Sequence, residues 1–511
     1  AGPWGSPRPS PTSRSSFERD VGVKQDKVAV VIGAGFGGLA AALRLSFKGY
    51  RVQVHEKLDA AGGRASVFKQ DGHTFDAGPT IITAPFLLKE LWQLCGKRFE
   101  DDVTLVPMDP FYRIRFDDGS HFDYNGDPEH MRREVQRFCP TDLDGYERFL
   151  QLCEKCKRLG FEGMGEKAFD SWRDLLVEIP DFLRMGAWRS IYAQVARHFK
   201  SEHLRVVMSF HPLLIGGNPF SVTAAYALIN SLERTWGVHS AMGGTGAIVA
   251  GLVGLLRERG IELHLNSPVQ RIVVEHGKAS GVQLGNGQTV QADIVVSNGD
   301  TAWTYKHLVD AQYRRHWSDR RIDNGRYSMG LLVWYFGTKR QYTDVPHHML
   351  VLGPRYKGLL QDIFKRHHLS EDFSLYLHRP TATDPSLAPA GCDTFYALAP
   401  VPHLDSGTDW REQAEPMRQA IQQRLQDTVL PGLGDVISTS LMMTPQDFKD
   451  RLWSYKGAGF GLEPLLVQSA FFRPHNRSED LPGLYMVGAG THPGAGVPGV
   501  LMRSEEHTSE L

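Results

Sequence analysis

An α/β fold is predicted, with a parallel nucleotide-binding sheet built from interleaved segments, and three stretches predict it. "KVAVVIGAGFGGLAAALRLSFKG" (27–49) reads as a buried strand, a glycine turn and a helix. "RVQVHE" (51–56) reads as the next strand and ends in an acid. "LYMVGAGTHPGAGVPGV" (484–500) returns far downstream to a strand that runs into nearly bare backbone.

The bulk properties set the frame. A chain of 511 residues is too long for one simple core, so two or three domains are expected. Lys plus Arg (57) nearly balances Asp plus Glu (58), which gives no global field to recruit nucleic acid or anionic lipid. Five cysteines are few and odd in number, which points to a reducing compartment without a disulfide framework. The longest uncharged stretches, 213–232 and 481–502, contain Pro and many glycines, unlike a membrane span of about 20 apolar residues. Residues 1–26 are rich in Ser, Pro and Arg without an apolar segment, and are expected to be a disordered leader or non-native sequence rather than a secretory signal. The expectation is a cytoplasmic protein that touches membranes peripherally at most.

In the first unit the "KVAVVI" run lacks polar alternation, as a strand buried on both faces does. Gly33 makes the tight turn, Gly35 admits a pyrophosphate to the backbone, and Gly38 lets helix and strand pack closely. Ala34, Phe36 and Gly37 complete the loop, and the helix N-terminus meets the phosphate charge. Glu56, about 20 residues on, is placed to accept hydrogen bonds from a ribose, with Lys57 beside it.

The dinucleotide could be NAD or FAD on this evidence. "AAGGRA", with Gly62, Gly63 and Arg64, follows at once, and "FDAGPT" then brings Gly78, Pro79 and Thr80. Here the chain resembles the FAD-dependent amine oxidase and carotenoid desaturase superfamily, in which the arginine of the GGR element lies against the cofactor. Further segments narrow the resemblance: "SFHPLLIGGNPF" (209–220), "WGVHSAMGGTGAIVAGLVGLL" (236–256), "APVPHLDSG" (399–407) and "SAFFRPHNRSEDLPGLYMVGAGTHPGAGVPGV" (469–500). These are similar, in order, to bacterial-type phytoene desaturases, and the likeness runs from about residue 27 to 502.

The resemblance implies a Rossmann-like FAD-binding domain, a discontinuous α+β substrate domain and a membrane-contacting helical region. It divides the chain into FAD-binding parts at 27–125, 235–305 and 478–502, a helical region at 126–234 and a substrate domain at 306–477. It implies FAD contacts from Gly33, Ala34, Gly35, Phe36, Gly37, Gly38, Glu56, Lys57, Gly63, Arg64, Gly78, Pro79, Thr80, Val269, Gly490, Thr491 and Val497. The implied activity is desaturation of phytoene, a hydrophobic C40 polyene, with lycopene as product and a quinone or oxygen as electron acceptor. Another carotenoid-acting flavoenzyme is the alternative: a diapophytoene desaturase, a ketolase-like oxidase or an isomerase. A non-catalytic flavin- or lipid-binding relic is the third reading.

Residues alone carry the remaining expectations. Short alternating runs from 260 to 298, broken by "HGK" and "GNG", read as strands and hairpins. In 184–205, Trp188, Ile191, Tyr192, Val195 and Phe199 share a helical face with arginines around it, which suits a lipid surface or a core. The C-x-x-C of Cys153 and Cys156 lacks a partner pair, and the pair His347-His348 shows no ligand spacing, so no metal is expected. No single proton-accepting residue stands out. Finally, residues 503–511 break the glycine-rich pattern. They back-translate as AGATCGGAAGAGCACACGTCTGAACTC, a common short-read sequencing adapter, and so are expected to be non-native.

Overall fold

The computed structural model describes residues 27–164 and 172–502; the leader and the 503–511 segment lie outside the described residues. Its nucleotide sheet is wholly parallel, in the order Leu484–Met486, Ile294–Ser297, Lys27–Ile32, Tyr50–His55, Glu262–His264. Strands from three distant parts of the chain thus lie side by side. The helix Phe36–Phe47 connects the two central strands, and all but its last residue are buried. The helix Thr245–Glu258 joins it in the same apolar core. A small antiparallel sheet, Val269–Glu275, Lys278–Leu284 and Thr289–Gln291, branches off where the hairpin signals lie.

The second lobe is built on a seven-stranded sheet, in the order Ile437–Met443, Gly330–Thr338, Asp393–Val401, Leu375–His378, His348–Val351, Tyr112–Arg115, His121–Tyr124. The last two strands correct the expected division. Residues 112–124 were expected in the nucleotide-binding part, yet Arg113 pairs with Met349 and Ile114 with Leu350. Two short strands from one lobe complete the other's sheet because their alternate side chains, Tyr112, Ile114, Phe122 and Tyr124, need its apolar cover.

The stretch 184–205 also departs from expectation. The helix Trp172–Met185 ends before Gly186, whose φ is 70°. Ser190 then caps a new five-residue helix, Ile191–Val195. Ile191, Val195 and Phe199 face the core and are buried; Trp188 alone of the five is largely exposed. The exposed apolar surface belongs to the preceding helix instead, through Leu176, Val177, Ile179 and Leu183, with Val177 72% exposed. Among the described residues no helix is long and apolar enough to cross a membrane.

Candidate functional site

One cavity of about 500 Å³ runs from the C-terminal ends of the parallel strands into the second lobe. That is where an open parallel sheet presents a nucleotide site. Gly33, with φ 91°, turns the chain out of the first strand, and its N–H donates to the His55 carbonyl at 2.8 Å. Glu56 closes the turn from the neighbouring strand. Its Oε2 accepts from Ala34 N at 2.7 Å and its Oε1 from Leu58 N at 2.9 Å.

Asn298, which was not foreseen, is the hub of the cradle. It follows the strand Ile294–Ser297, and its amide occupies the space vacated by three glycines. A Cβ on Gly35 would stand 2.8 Å from Asn298 Nδ2; one on Gly37 or Gly488 would stand 2.7 Å from Oδ1. Gly38 is tighter still, because a Cβ there would collide with the Gly33 carbonyl oxygen. Backbone from the first turn and from the 488–499 run therefore approach each other through one side chain.

Arg64 sits in the single turn Gly63–Ala65, with Nη2 donating to Ser454 Oγ at 3.0 Å and Nε buried without a partner. Burial lowers its pKa, opposed by Asp300, and burial raises the pKa of Asp300. Lys57 lies 4.2 Å from the Trp453 ring, which stacks on Trp303 at 5.4 Å; all three line the cavity.

Gly78, Pro79 and Thr80 form the threshold between the lobes. Tyrosines of the seven-stranded sheet hold this segment. Tyr335 donates to the Ala77 carbonyl at 2.9 Å and Tyr396 to that of Gly78 at 3.3 Å. Thr80 Oγ1 lies 2.9 Å from the Tyr376 hydroxyl. Just before the threshold, Asp76 accepts from Thr245 N at 2.8 Å and so caps the helix Thr245–Glu258. Burial pushes the Asp76 carboxyl up to about 7, against the bonds from Thr245 and Gly246. In the unfolded chain it ionises near about 4. The native state thus holds this carboxyl's stabilisation in full below about pH 4 and loses it as pH rises through about 7. Asp76→Asn is expected to gain stability relative to the parent as pH rises from 4 to 7, read as the difference in thermal midpoints; a difference independent of pH would refute it.

Of the expected contacts, Gly33, Gly35, Phe36, Gly37, Glu56, Lys57, Gly63, Arg64, Gly78, Pro79, Thr80, Val269 and Val497 all line the cavity. Ala34, Gly38, Gly490 and Thr491 lie behind its wall. Gly490 is pressed against Thr301, and Thr491 is fully buried with its hydroxyl on the Gly488 carbonyl at 3.2 Å. Arg473, also unforeseen, braces that wall: it donates to the carbonyls of Ala489 at 2.9 Å, Gly490 at 3.3 Å and Leu462 at 3.4 Å.

The donor set fits FAD. Glycines admit the pyrophosphate to a helix N-terminus, Glu56 faces the ribose position, and the unpartnered Arg64 Nε offers a hydrogen bond where the flavin would lie. Beyond the threshold the cavity is walled by aliphatic side chains such as Leu213, Ile215, Leu331, Val333, Leu359 and Leu360. Such a lobe takes an apolar ligand. The thiols of Cys153 and Cys156 are buried in the helix Leu143–Cys156, and burial holds the Cys153 thiol well above its usual range and that of Cys156 at about 12. They are packing groups.

Comparisons with known proteins agree with this geometry. The family described as flavin containing amine oxidoreductase matches residues 36–505. A neurosporene-forming phytoene desaturase of Cereibacter sphaeroides is 50% identical over 93% of this chain and 93% of its own. A lycopene-forming phytoene desaturase of Pantoea ananas is 44% identical over 93% of this chain and 97% of its own. Among solved structures, a putrescine oxidase variant aligns with a TM-score of 0.65 at 14% identity, covering 95% of this chain and 98% of that one.

Proposed function

This chain belongs to the flavin-containing amine oxidoreductases, in their phytoene desaturase branch, and is an FAD-dependent oxidoreductase; from that premise we propose that it desaturates phytoene. The observation that carries this reading is the single cavity joining a dinucleotide cradle to an aliphatic lobe at the threshold 78–80. Bound FAD supplies the hydride acceptor. The chain's own residues do the rest. The cradle fixes the cofactor, the aliphatic walls align the polyene and exclude water, and Thr80 with its tyrosines keeps the threshold rigid. Lycopene is the proposed product. Neurosporene is a second reading, favoured because the two relatives at 50% and 48% identity form it, whereas those at 45% and 44% form lycopene.

The insoluble substrate calls for a lipid surface, and the apolar face of Trp172–Met185 with Trp188 supplies one. The cavity reaches Gly160 and Phe161, and Gly160 faces Met185 at the end of that helix. Incubating the FAD-loaded protein with phytoene in liposomes tests both points. A coloured polyene is expected, and its absorption bands count the new double bonds. Serine at Leu176, Val177, Leu183 and Trp188 is expected to abolish co-flotation with the liposomes while leaving FAD bound. Uncoloured phytoene with FAD in place would refute the substrate assignment, and undiminished flotation would refute the docking face.

A further inference from the structure

Desaturation releases a proton inside a lobe walled by aliphatic side chains, and one face of the seven-stranded sheet interrupts that apolar surface. His348, His378 and Tyr396 are cross-strand partners in register. Tyr376, two residues before His378 on the same strand, shares their face and lines the cavity. Its hydroxyl lies 2.6 Å from His348 Nδ1. Deeper in, His378 Nε2 and His347 Nε2 are 3.0 Å apart, and His347 Nδ1 is 2.6 Å from Thr383 Oγ1. Thr383 is partly exposed, so the series runs from cavity to surface.

The outer partners assign the tautomers. The Thr383 hydroxyl directs its proton to Met108 Sδ, so its oxygen accepts from His347 Nδ1–H. His347 Nε2 then accepts from His378 Nε2–H, which leaves His378 Nδ1 as an acceptor. At the cavity end Tyr376 donates to His348 Nδ1, which leaves the His348 proton on Nε2. His348 Nε2 and His378 Nδ1 are the two nitrogens of the three rings left without a partner. One is a donor and the other an acceptor, on rings stacked 5.5 Å apart. Burial favours the neutral form of all three imidazoles, lowering His347 to about 3 and holding His348 and His378 well below the usual range. Three clustered imidazoles also suggest a metal ion. Four of the cluster's six nitrogens are already hydrogen-bonded to protein groups, which leaves two free, fewer than the three protein ligands of a usual catalytic zinc site.

We infer that Tyr376 takes the proton released from the polyene and that His348, His378 and His347 pass it to Thr383 and the surface, a role that rests on the desaturation proposed above. The C–H electron pair of the deprotonated carbon becomes the second bond of the new double bond as hydride departs from the neighbouring carbon to the bound FAD. That proton binds the Tyr376 oxygen while the tyrosine's own proton moves to His348 Nδ1. His348 Nε2–H passes to His378 Nδ1, His378 Nε2–H to His347 Nε2, and His347 Nδ1–H to Thr383, whose hydroxyl proton leaves to water. The central step requires His348 Nε2 and His378 Nδ1 to approach, since no hydrogen bond joins the two stacked rings at rest. No ring keeps a net charge at the end, which suits an apolar interior.

The test is anaerobic stopped-flow reduction of the FAD-loaded protein by phytoene in vesicles, in H₂O and D₂O, for the parent, Tyr376→Phe, His348→Gln and His378→Gln. Tyr376→Phe is expected to slow reduction on the order of 10²-fold. The glutamine variants should slow it less, and all three should lose the parent's solvent isotope effect while FAD remains bound. Independently of turnover, NMR of ¹⁵N-histidine protein should find His347, His348 and His378 neutral at pH 5, His347 as Nδ1–H and the other two as Nε2–H, with the His348 and His378 signals lost in their own variants. An unchanged rate and isotope effect in Tyr376→Phe overturns the relay and leaves desaturation standing. So does slowing that tracks a fall in thermal midpoint with the isotope effect intact, and so do imidazoles charged at pH 5. Parent protein whose bound FAD phytoene cannot reduce overturns both readings.

Discussion

Gly38→Val is expected to purify without flavin. A Cβ at Gly38 meets the backbone oxygen of Gly33, and behind it Asn298 Cβ at 3.1 Å. Neither is the free end of a flexible side chain, so helix Phe36–Phe47 must move away from its strand. That movement displaces the N–H groups of the first turn and Asn298 together. Loss of at least two orders of magnitude in FAD affinity follows, about 3 kcal/mol. Fluorescence titration of the apoprotein with FAD measures it. Gly254→Ala is the control, since a Cβ there meets nothing within 4 Å in the helix Thr245–Glu258. It should bind FAD normally and be more stable by about 0.5–1 kcal/mol. Stoichiometric flavin on the valine variant would show that the cradle tolerates a wider turn than its geometry allows.

Arg473→Met is expected to lose both stability and cofactor. Arg473 is 1% exposed and is the donor common to the carbonyls of Leu462, Ala489 and Gly490. Methionine fills much of the volume but leaves those carbonyls without their guanidinium donor, at about 1–3 kcal/mol for each group left unsatisfied. Lysine should not rescue the variant, because an ammonium cannot span three carbonyls from one rigid fork. The thermal midpoint should fall sharply, and excess FAD should restore part of it by mass action. A midpoint unchanged in the absence of FAD would show that the glycine run holds its shape unaided.

The parts legible in the sequence are those whose signals are local. The strand Lys27–Ile32, its glycine turn, the helix and Glu56 follow one another within 30 residues, so spacing alone assembles them. Asn298 and Arg473 were missed because nothing near them in sequence marks them. Their neighbours are glycine backbone from 35–38 and from 488–490, which only the folded sheet brings together. The 112–124 hairpin looked like nucleotide-domain sequence because its true neighbour, His348–Val351, lies over 200 residues downstream. In 184–205 the periodicity was real, but Gly186 and Ser190 carried the stop and cap that divide it, and those signals outrank the apolar spacing. His378 could have been found by placing "LYLH" antiparallel to "HMLV", which sets it opposite His348.

The interleaving of the nucleotide sheet has a consequence for how the protein is made. During translation Lys27–Ile32 and Tyr50–His55 emerge early, whereas Ile294–Ser297 arrives much later and Leu484–Met486 only after the whole seven-stranded lobe has been synthesised. Until Ile294–Ser297 arrives, one side of the first strand offers unpaired backbone, and until Leu484–Met486 arrives the edge of Ile294–Ser297 does. The nascent chain therefore passes through an incomplete sheet with an open strand edge, the kind of species most prone to aggregation. Because the cavity draws its lining from 33–37, Asn298 and 488–500, the complete FAD cradle exists only once the last of these segments has emerged.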